Sequence, residues 1–420
     1  MFGRVVLVIK NFWHWAKLFL TIIKYGPIKS PIKLVGITGT DGKTTTANLI
    51  YQIIKADGKS VGLVSTISAI TGKEELDTGV HTTTPTYNDI KKYLSAMEKN
   101  GIEFAVLEIT AHGLFQHRVS GLHFVASVLT NITHEHLDYF YSLKAYTNAK
   151  RKLFINSEMA VLNRDDSSYT EIAKNLVNIT TYSLINNKAD FVAKDIHYNS
   201  NGSTFKLQSK NSSILDIETP LLGQYNVYNI LAAISVTKSI GIREQSILAG
   251  IKNTGFLKGR LQQIKLEGAD FRVIVDFAHT PNALQNLIIN TKRSFKPNKI
   301  ILVFGAAGLR DKSKRPEMGK VASELSDQFI LTAEDPRTES VNSICNDILS
   351  GSKVDYKIKG EVIIDRYTAI LRALEIAKTN DLVLITGKGH ETSMCFGKTE
   401  ETWNDRDAVV KAWKQIEKKQ

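Results

Sequence analysis

The stretch that most constrains the fold is residues 33–46, where a short apolar run gives way to a loop with two glycines and then to a helical pattern. Residues 35–38 are mostly apolar and β-branched, which is typical of a buried strand. From Thr44 onward apolar side chains recur at helical spacing. A strand, a glycine loop and a helix in this order present backbone N–H groups to an anion. The stretch therefore predicts a phosphate-binding loop.

The residues of this loop suit a nucleotide. Gly39 and Gly42 let the backbone approach phosphate oxygens, Lys43 supplies a positive charge, and Thr44 supplies a hydroxyl for Mg²⁺. The spacing departs from the strict P-loop pattern, because Gly36 lies one residue too far from Gly42. A plain glycine turn is the alternative, but the placement of the Lys-Thr pair favours nucleotide binding.

Length and composition describe a globular protein of more than one domain. The chain has 420 residues, of which 43% are hydrophobic and 23% charged. Its two cysteines, Cys345 and Cys395, have no metal-binding or disulfide spacing, which favours a reducing compartment such as the cytoplasm. We expect a monomer that binds no nucleic acid, although the formal net charge is +12.

The N-terminal segment, residues 4–25, has an amphipathic helical pattern with a single polar stripe. That stripe consists of Lys10, His14, Lys17, Thr21 and Lys24. Residues 1–33 contain six Lys or Arg and no acid, and the uncharged runs are shorter than the roughly 20 residues of a spanning helix. A basic helix with tryptophans fits peripheral contact with the inner face of a membrane. Packing on the following domain is equally compatible with the pattern.

The remainder alternates strands with helices, which predicts an α/β fold with largely parallel sheets. In the first part the predicted strands are 33–38, 61–66, 103–110 and 124–132, the predicted helices are 44–56, 86–100 and 226–239, and antiparallel strands are predicted within 189–219. In the second part the predicted strands are 272–276, 299–304, 328–332 and 382–386. We predict an N-terminal helix at 1–30, a P-loop central domain at 31–256 and a Rossmann-like C-terminal domain at 257–420.

Several spaced motifs, taken together, resemble the Mur ligase family. In the first part they are residues 39–45, Glu108, 112–118, 136–139 and Ala149-Lys150; in the second they are Gly259-Arg260, 276–281, 310–316, 335–339 and 387–391. Within the family they are most similar to the UDP-N-acetylmuramoyl-tripeptide synthetases, and the resemblance runs from about residue 32 to the end. It implies a ligase of peptidoglycan precursor synthesis. In such an enzyme ATP phosphorylates the D-Glu of UDP-MurNAc-L-Ala-D-Glu, and the amine of a diamino acid attacks the acyl phosphate.

The resemblance also implies roles for individual residues. The catalytic set is Lys43, Glu108, His136, Lys150 and His279. Thr44 and Glu108 would bind one Mg²⁺, and Glu108 with His136 a second, near a carbamylated Lys150. The ATP-binding set is Gly39, Thr40, Asp41, Gly42, Lys43, Thr44, Thr45, Asn226, Asn229, Arg260 and Asp276. The acceptor would contact Thr82, Thr83, Thr84, Thr110, Gln116 and Arg118, and the incoming diamino acid Arg310, Glu334, Asp335, Pro336, Arg337, Gly387 and Glu391.

Departures from the family pattern leave alternatives open. Asp41 and Asp335 each stand where the family has Asn, whereas Arg337 is kept and favours meso-diaminopimelate over lysine, because only diaminopimelate has a distal carboxylate. About 30 residues precede the core, in place of the family's N-terminal uridine-nucleotide domain. An acceptor other than the UDP-sugar, such as a lipid-linked peptide or a folate, is one alternative. A nucleotide-binding subunit without ligase activity is another.

Overall fold

The computed structural model describes residues 2–76, 83–210, 212–255, 257–352 and 359–418. The chain divides into two compact units, Met1–Gly255 and Phe256–Gln420. Each unit has its own β-sheet with helices packed against it. The predicted α/β fold with a mainly parallel central sheet and a second C-terminal sheet is confirmed.

Unit 1 contains a long sheet that is parallel in its middle and antiparallel at both ends. Its helices are α1 Phe2–Tyr25, α2 Lys43–Ala56, α3 Tyr87–Lys99, α4 Ala111–Phe115, α5 Leu137–Phe140, α6 Leu143–Ile155, α7 Tyr169–Ala173, α8 Gln224–Ser239 and α9 Glu244–Lys252. Its strands are β1 Lys33–Thr38, β2 Val61–Val64, β3 Ala69–Ile70, β4 Glu75–Leu76, β5 Phe104–Glu108, β6 Phe124–Leu129, β7 Ala160–Asn163, β8 Ile179–Ser183, β9 Phe191–Asn199, β10 Gly202–Ser209 and β11 Ser212–Thr219. Over the described residues the strand order is β11-β10-β9-β8-β7-β6-β1-β5-β2-β3-β4.

Strand β1 lies in the interior of this sheet, between β5 and β6, and both of its faces are buried. Val35 and Ile37 point to the face that is covered by α2, α8 and α9. Leu34 points to the opposite face, where α3, α4 and α6 supply the covering side chains. Alternation along a strand and burial on both faces explain why the sequence reads as one continuous apolar run. The two cores fix the carboxyl end of β1, where the phosphate loop begins.

Unit 2 has a second sheet in which all strands but one are parallel. Its strands are β12 Gln262–Ile264, β13 Arg272–Asp276, β14 Ile300–Phe304, β15 Gln328–Leu331, β16 Gly360–Val362 and β17 Leu382–Thr386, with a separate hairpin of β18 Ser393–Phe396 and β19 Thr399–Thr402. Its helices are α10 Pro281–Phe295, α11 Lys314–Leu325, α12 Val341–Leu349, α13 Arg366–Ile376 and α14 Asp405–Glu417. In the described part of the unit the order is β12-β13-β17-β14-β15-β16, and β12 is the antiparallel strand.

A fully buried ion pair fixes the end of β17 in unit 2. The Arg366 guanidinium donates from Nε and Nη2 to the two carboxylate oxygens of Asp405, each at 2.8 Å. The same Nη2 donates to the carbonyl of Thr386 at 2.8 Å, and Trp403 Nε1 donates to Asp405 Oδ1 at 2.8 Å. Both charged side chains are 0% exposed, and removing one partner of such a pair is strongly destabilising. The pair holds the backbone immediately before Gly387.

Three predicted strands are shorter than the sequence pattern suggested. The strands predicted at 61–66, 103–110 and 124–132 end at Val64, Glu108 and Leu129. The residues beyond each end make hydrogen bonds outside the ladder: the Thr66 N–H donates to Glu108, and the Thr110 side chain caps α4. Such bonds compete with strand pairing, so the chain leaves the sheet at these points.

Candidate active site

The phosphate loop connects β1 to α2, and its two glycines are required by geometry. Gly39 has φ of 155°, and a Cβ on it would lie 1.8 Å from Thr130 Oγ1. Gly42 has φ of 82°, and a Cβ on it would lie 2.2 Å from Asn229 Oδ1. Gly42 also caps α2 without a side-chain hydrogen bond, which leaves the first backbone N–H groups of α2 to an anion.

The end of β6 holds this loop in place. The Thr40 N–H donates to the Asn131 carbonyl at 2.8 Å, and the Asp41 N–H donates to Asn131 Oδ1 at 3.0 Å. Thr130 Oγ1 donates to the Asp41 carbonyl at 2.6 Å, and the Thr133 N–H donates to Thr40 Oγ1 at 3.0 Å. The loop is therefore preorganised. Thr130, Asn131 and Thr133 were not predicted as site residues, although their position just after a strand was a usable signal.

Thr44 and Glu108 form a buried pair at the base of the loop. Thr44 Oγ1 lies 3.1 and 3.0 Å from the two carboxylate oxygens of Glu108, and the Thr66 N–H donates to Oε2 at 3.0 Å. Glu108 is 2% exposed, and no basic side chain of the described residues lies within ion-pair distance of it. A buried carboxylate with only hydroxyl and amide partners fits a cation.

This pair suits Mg²⁺ better than a metal held entirely by protein. Among the described residues no group of three or more His, Cys, Asp or Glu could hold a metal ion. Mg²⁺ is usually bound through one or two carboxylates, with waters and substrate phosphates as the other ligands. Thr44 and Glu108 beside a phosphate loop have this character.

Two lysines lie at the loop in different environments. Lys43 Nζ donates to the Thr40 carbonyl at 2.8 Å and is only partly buried. Lys150 is 1% exposed; its Nζ donates to the Gly39 carbonyl at 2.6 Å and lies 4.5 Å from the ring centroid of Tyr146. Burial, followed by the positive charge of Lys43, holds the pKa of Lys150 well below its usual range. The structure thus favours a neutral Lys150 amine.

His136 lies at the start of α5 with a left-handed backbone, φ 56°. Its ring packs edge to face on His112 at 4.6 Å, and its Nε2 lies 3.7 Å from a carboxylate oxygen of Glu135. Burial lowers the pKa of His136 and favours the neutral imidazole that a metal ligand requires. Within the described chain no hydrogen bond or ion pair joins His136 to Glu108, and their shared metal site stays a prediction.

Four of the residues predicted to bind the acceptor form one connected cluster, Thr84, Thr110, Gln116 and Arg118. Thr84 Oγ1 accepts from the Thr110 N–H at 2.8 Å and lies 3.1 Å from Thr110 Oγ1. The Arg118 guanidinium donates to Gln116 Oε1 at 2.9 and 2.6 Å and also to the Thr84 carbonyl. Thr84 Oγ1 also lies 3.4 Å from the Glu108 carbonyl, so the cluster adjoins the buried Thr44–Glu108 pair.

The other residues of unit 1 that were predicted to bind ATP or the acceptor lie before α3, in α2 and in α8. Thr82 lies outside the described residues, and Thr83 is half-buried in a bend. Thr45 is buried in the first turn of α2. Asn229 Nδ2 donates to Asn226 Oδ1 at 3.0 Å, and both side chains are buried behind the loop. Contact of these two asparagines with a nucleotide base stays a prediction.

In unit 2 the residues predicted to meet ATP surround Phe277. Asp276 is buried at the end of β13, where its two carboxylate oxygens accept backbone N–H groups at 2.7 and 2.8 Å. Arg260 lies 4.5 Å from the Phe277 ring, and the His279 ring packs on the same side chain at 4.5 Å. Burial raises the pKa of Asp276, and the charge of Arg260 opposes that shift.

The residues predicted to bind the amino acid include a buried charge network centred on Lys388. Lys388 Nζ lies 2.7 Å from Asp335 Oδ1 and 2.6 Å from Glu391 Oε2, and its side chain is 0% exposed. Burial alone would lower the pKa of Lys388, but the charges of Glu391 and Asp335 outweigh it and raise that pKa. The Cys395 N–H also donates to Asp335 Oδ1, at 3.0 Å. Lys388 lies within the 387–391 motif but was not predicted as a site residue.

The segment that follows Asp335 is bound to the β18–β19 hairpin. The Arg337 N–H donates to the Cys395 carbonyl at 3.0 Å, and the Gly397 N–H donates to the Arg337 carbonyl at 2.8 Å. Arg337 Nη1 donates to the Gly308 carbonyl at 2.7 Å, and Arg310 is exposed two residues further along that loop.

The remaining residues predicted to bind the amino acid, Glu334, Pro336 and Gly387, lie in closely packed segments of unit 2. Glu334 is buried, and burial raises its pKa. Gly387 has φ of 108°, and a Cβ on it would lie 2.9 Å from Glu334 Cγ. The Pro336 carbonyl would lie 1.9 Å from a Cβ on Gly308. Unit 2 therefore brings together the three segments that the sequence analysis assigned to amino-acid binding.

A preorganised phosphate loop with a buried hydroxyl–carboxylate pair is typical of an enzyme that binds a nucleoside triphosphate with Mg²⁺. Residues 37–237 match the Mur ligase middle domain, and residues 259–389 match the Mur ligase, glutamate ligase domain. The chain belongs to the Mur ligase family. The sequence-based assignment to the ATP-dependent ligases is confirmed.

Similar proteins agree over most of the chain. A UDP-N-acetylmuramoyl-L-alanyl-D-glutamate--2,6-diaminopimelate ligase of Clostridioides difficile (strain 630) is 35% identical over 390 residues, which cover 92% of this chain and 79% of the relative. The ligase of the same name from Gloeobacter violaceus is 38% identical over 385 residues, which cover 91% and 77%. A solved structure of a ligase with that name is 31% identical, with a TM-score of 0.62 over 94% of this chain and 81% of the other.

Proposed function

We propose that this protein is an ATP-dependent ligase that joins meso-diaminopimelate to the D-Glu of UDP-MurNAc-L-Ala-D-Glu in peptidoglycan precursor synthesis. Relatives that carry this activity in their names match over more than nine tenths of the chain. The observation that carries the proposal is the buried Thr44–Glu108 pair at the base of the phosphate loop. This carboxylate, buried with only hydroxyl and amide partners, would hold the Mg²⁺ that phosphoryl transfer from ATP requires.

The phosphate loop and the Thr44–Glu108 pair have distinct tasks in this proposal. The N–H groups at the start of α2 and the Lys43 ammonium bind the β- and γ-phosphates of ATP. Thr44 and Glu108 hold one Mg²⁺, and Glu108 with His136 a second. Bound Mg²⁺ neutralises phosphate charge and polarises the phosphoryl group. The acceptor cluster of Thr84, Thr110, Gln116 and Arg118 orients the carboxylate that is phosphorylated.

Lys150 is proposed to be carbamylated. A neutral amine adds to CO₂: the N–C bond forms while one C=O π bond opens, one proton is released from the nitrogen to water, and the neutral side chain becomes an anionic carbamate. Burial of Lys150 favours the neutral amine that this step needs. An ammonium beside two divalent ions would be repelled, whereas a carbamate would be attracted to them. The proposal rests on the depth of Lys150 behind Gly39 and on the charge of Lys43 nearby.

Unit 2 supplies the residues proposed to choose the amino acid. Arg337 and Arg310 offer guanidinium groups for the distal carboxylate of diaminopimelate. Glu391 offers a carboxylate for an amine, and Lys388 holds that carboxylate in place at 2.6 Å. Asp335, which replaces the family's Asn, serves as the second partner of Lys388. The reaction belongs in the cytoplasm, and we extend the proposal to peripheral contact of residues 4–25 with the inner face of the membrane.

The test is phosphate release by the purified chain with ATP, Mg²⁺ and UDP-MurNAc-L-Ala-D-Glu, comparing meso-diaminopimelate, L-lysine and no amino acid. We expect release that depends on diaminopimelate. Lys150→Ala should abolish it, and a short added carboxylate should restore part of it. Lys144→Ala, an exposed change on the same helix, is the matched control and should leave release unchanged. Release that ignores the amino acid, or no release with any of them, would contradict the proposal.

A further inference from the structure

Helix α1 packs on the rest of unit 1 through a side that combines part of the polar stripe with the apolar residues Leu7, Leu18 and Ile22, and it leaves the larger part of its apolar surface exposed. Lys10, His14 and Thr21 are half-buried. His14 Nε2 lies 3.2 Å from the Tyr139 hydroxyl, and Lys10 Nζ lies 4.3 Å from the ring centroid of Tyr139. On the same side Asn11 Oδ1 lies 3.0 Å from His117 Nε2. An amphipathic helix on the surface of a soluble protein would turn the whole of its apolar face inward instead.

The outward face of α1 is apolar and exposed from Val5 to Ile23. Its residues, between 52% and 69% exposed, are Val5, Val8, Ile9, Phe12, Trp13, Trp15, Phe19, Leu20 and Ile23. Three of them form an aromatic ridge, with ring centroids 6.5 Å apart for Phe12 and Trp15 and 5.8 Å apart for Trp15 and Phe19. A continuous apolar surface of this extent marks an interaction site.

The charge around this face identifies what covers it. The first 40 residues contain six Lys or Arg and no Asp or Glu. Lys17 and Lys24 are exposed, and their ammonium groups lie 5.3 Å and 5.1 Å from the ring centroids of Trp13 and Tyr25. Apolar bodies flanked by lysines and tryptophans suit the headgroup region of an anionic bilayer. A second copy of the chain would bring six further positive charges to the same contact, which disfavours self-association.

The contacts of α1 also determine how it meets a bilayer. Val5–Tyr25 is long and apolar enough to cross a membrane by length and composition, with a mean hydropathy of 1.3 and none of that window buried. Crossing would place Lys10 and Lys17 in hydrocarbon and would break the contacts that α1 makes with Tyr139 and His117. A helix that lies flat keeps these contacts and still buries its apolar face.

The inner face of α1 contacts the segments that carry the acceptor cluster. The His14 ring packs on Phe115 at 6.1 Å, at the end of α4. His117, the partner of Asn11, lies in sequence between Gln116 and Arg118. Helix α1 therefore lies between the acceptor cluster and any surface that binds its outer face.

We propose that α1 is an in-plane membrane helix that binds the surface of an anionic bilayer through its outer apolar face and holds the acceptor cluster beside that surface. The proposal rests on the proposed function only for the identity of the acceptor. Binding to vesicles does not depend on ligase activity. Vesicle binding tests the membrane proposal and phosphate release tests the proposed function, so either proposal can fail without the other.

The experiment is cosedimentation of the full chain with phosphatidylcholine vesicles, with and without about 30% phosphatidylglycerol. We expect binding to the anionic vesicles that weakens as salt rises. Replacing Phe12, Trp15 and Phe19 by Ser should lower partitioning by about tenfold or more. Two of the four tryptophans lie in α1, and brominated lipids should quench them most strongly when bromine is near the headgroups.

A matched control replaces three exposed apolar residues elsewhere in unit 1, Val177, Ile185 and Ile214, by Ser. This control should bind vesicles like the parent chain, and both variants should release phosphate like the parent in solution. Equal binding by the two triple variants would overturn the proposal. So would a dimer in solution that the α1 variant abolishes. Quenching strongest at the bilayer centre, with resistance to alkaline extraction, would show a spanning helix and overturn the flat orientation.

Discussion

Replacing Lys150 by Met should change the stability of unit 1 in a way that depends on pH. The Lys150 amine is fully buried and its pKa is held well below the ordinary value of 10.5. Between that lowered pKa and 10.5 the unfolded chain binds a proton at this position and the folded chain does not. The stability of the parent chain therefore rises with pH in this window and falls as pH drops. Methionine removes the linkage and fills a similar volume.

The expected size follows from proton linkage. One proton bound only by the unfolded state changes the free energy of unfolding by about 1.4 kcal/mol per pH unit. Over an interval of about 1.5 pH units that lies wholly between the lowered pKa of Lys150 and 10.5, the advantage of Lys150→Met over the parent should shrink by about 2 kcal/mol. Loss of the hydrogen bond to the Gly39 carbonyl contributes a constant cost of about 1 kcal/mol and leaves the slope unchanged.

Pulse proteolysis in urea, with unit 1 followed through its N-terminal segment, measures this difference. The buffers must be free of CO₂, because carbamylation would remove the titrating amine. Lys144→Met on the same helix is the control; its side chain is exposed and hydrated in both states, so its difference from the parent should not vary with pH. A Lys150→Met difference that stays flat across this range would refute the reasoning.

Three other changes test the remainder of the site and fold. Thr44→Val removes the hydroxyl that pairs with the buried carboxylate, and should raise the Mg²⁺ concentration for half-maximal phosphate release about tenfold or more; an unchanged Mg²⁺ curve would contradict the assignment. Asp335→Ala leaves Lys388 to pair with Glu391 alone, so the KM for diaminopimelate should rise about tenfold with little change in the KM for ATP, as steady-state kinetics would show. Asp405→Ala leaves the buried Arg366 without a carboxylate partner and should destabilise unit 2 by about 3 to 5 kcal/mol in urea unfolding followed by tryptophan fluorescence, with partial recovery when Arg366 is also replaced by Met.

Periodicity predicted the central strands of both sheets because strands buried on two faces are continuous apolar runs. It did not predict strands β7, β8, β12 and β16. β14 and β17 are buried at every position and were predicted within one residue. The ends of β2, β5 and β6 were predicted too far along the chain, because bonds such as Thr66 N–H to Glu108 depend on a partner 42 residues away. The orientation of α1 was likewise open, since a polar stripe does not reveal whether it meets protein or water.

For the candidate site, too, the features set by adjacent residues were predicted and those set by distant partners were not. Lys43, Thr44 and the loop glycines could be predicted because adjacent residues supply the chemistry. The burial of Lys150 could not be predicted from the neighbouring residues, because it results from the position of α6 behind the phosphate loop. The pairing of Lys388 with Asp335 joins residues 53 apart. Only the fold shows that this aspartate has a cation to balance.

The β18–β19 hairpin and the segment at 335–337 are joined by backbone and side-chain hydrogen bonds across about sixty residues of sequence. A change in preferred amino acid that altered the backbone at Arg337 would disturb Cys395 and Gly397, and an insertion in the hairpin would displace Arg337. Evolution of a new specificity in this lineage would therefore have to alter both segments together. Libraries meant to redirect the enzyme should randomise the hairpin jointly with residues 335–337, because single-segment libraries would mostly sample broken loops.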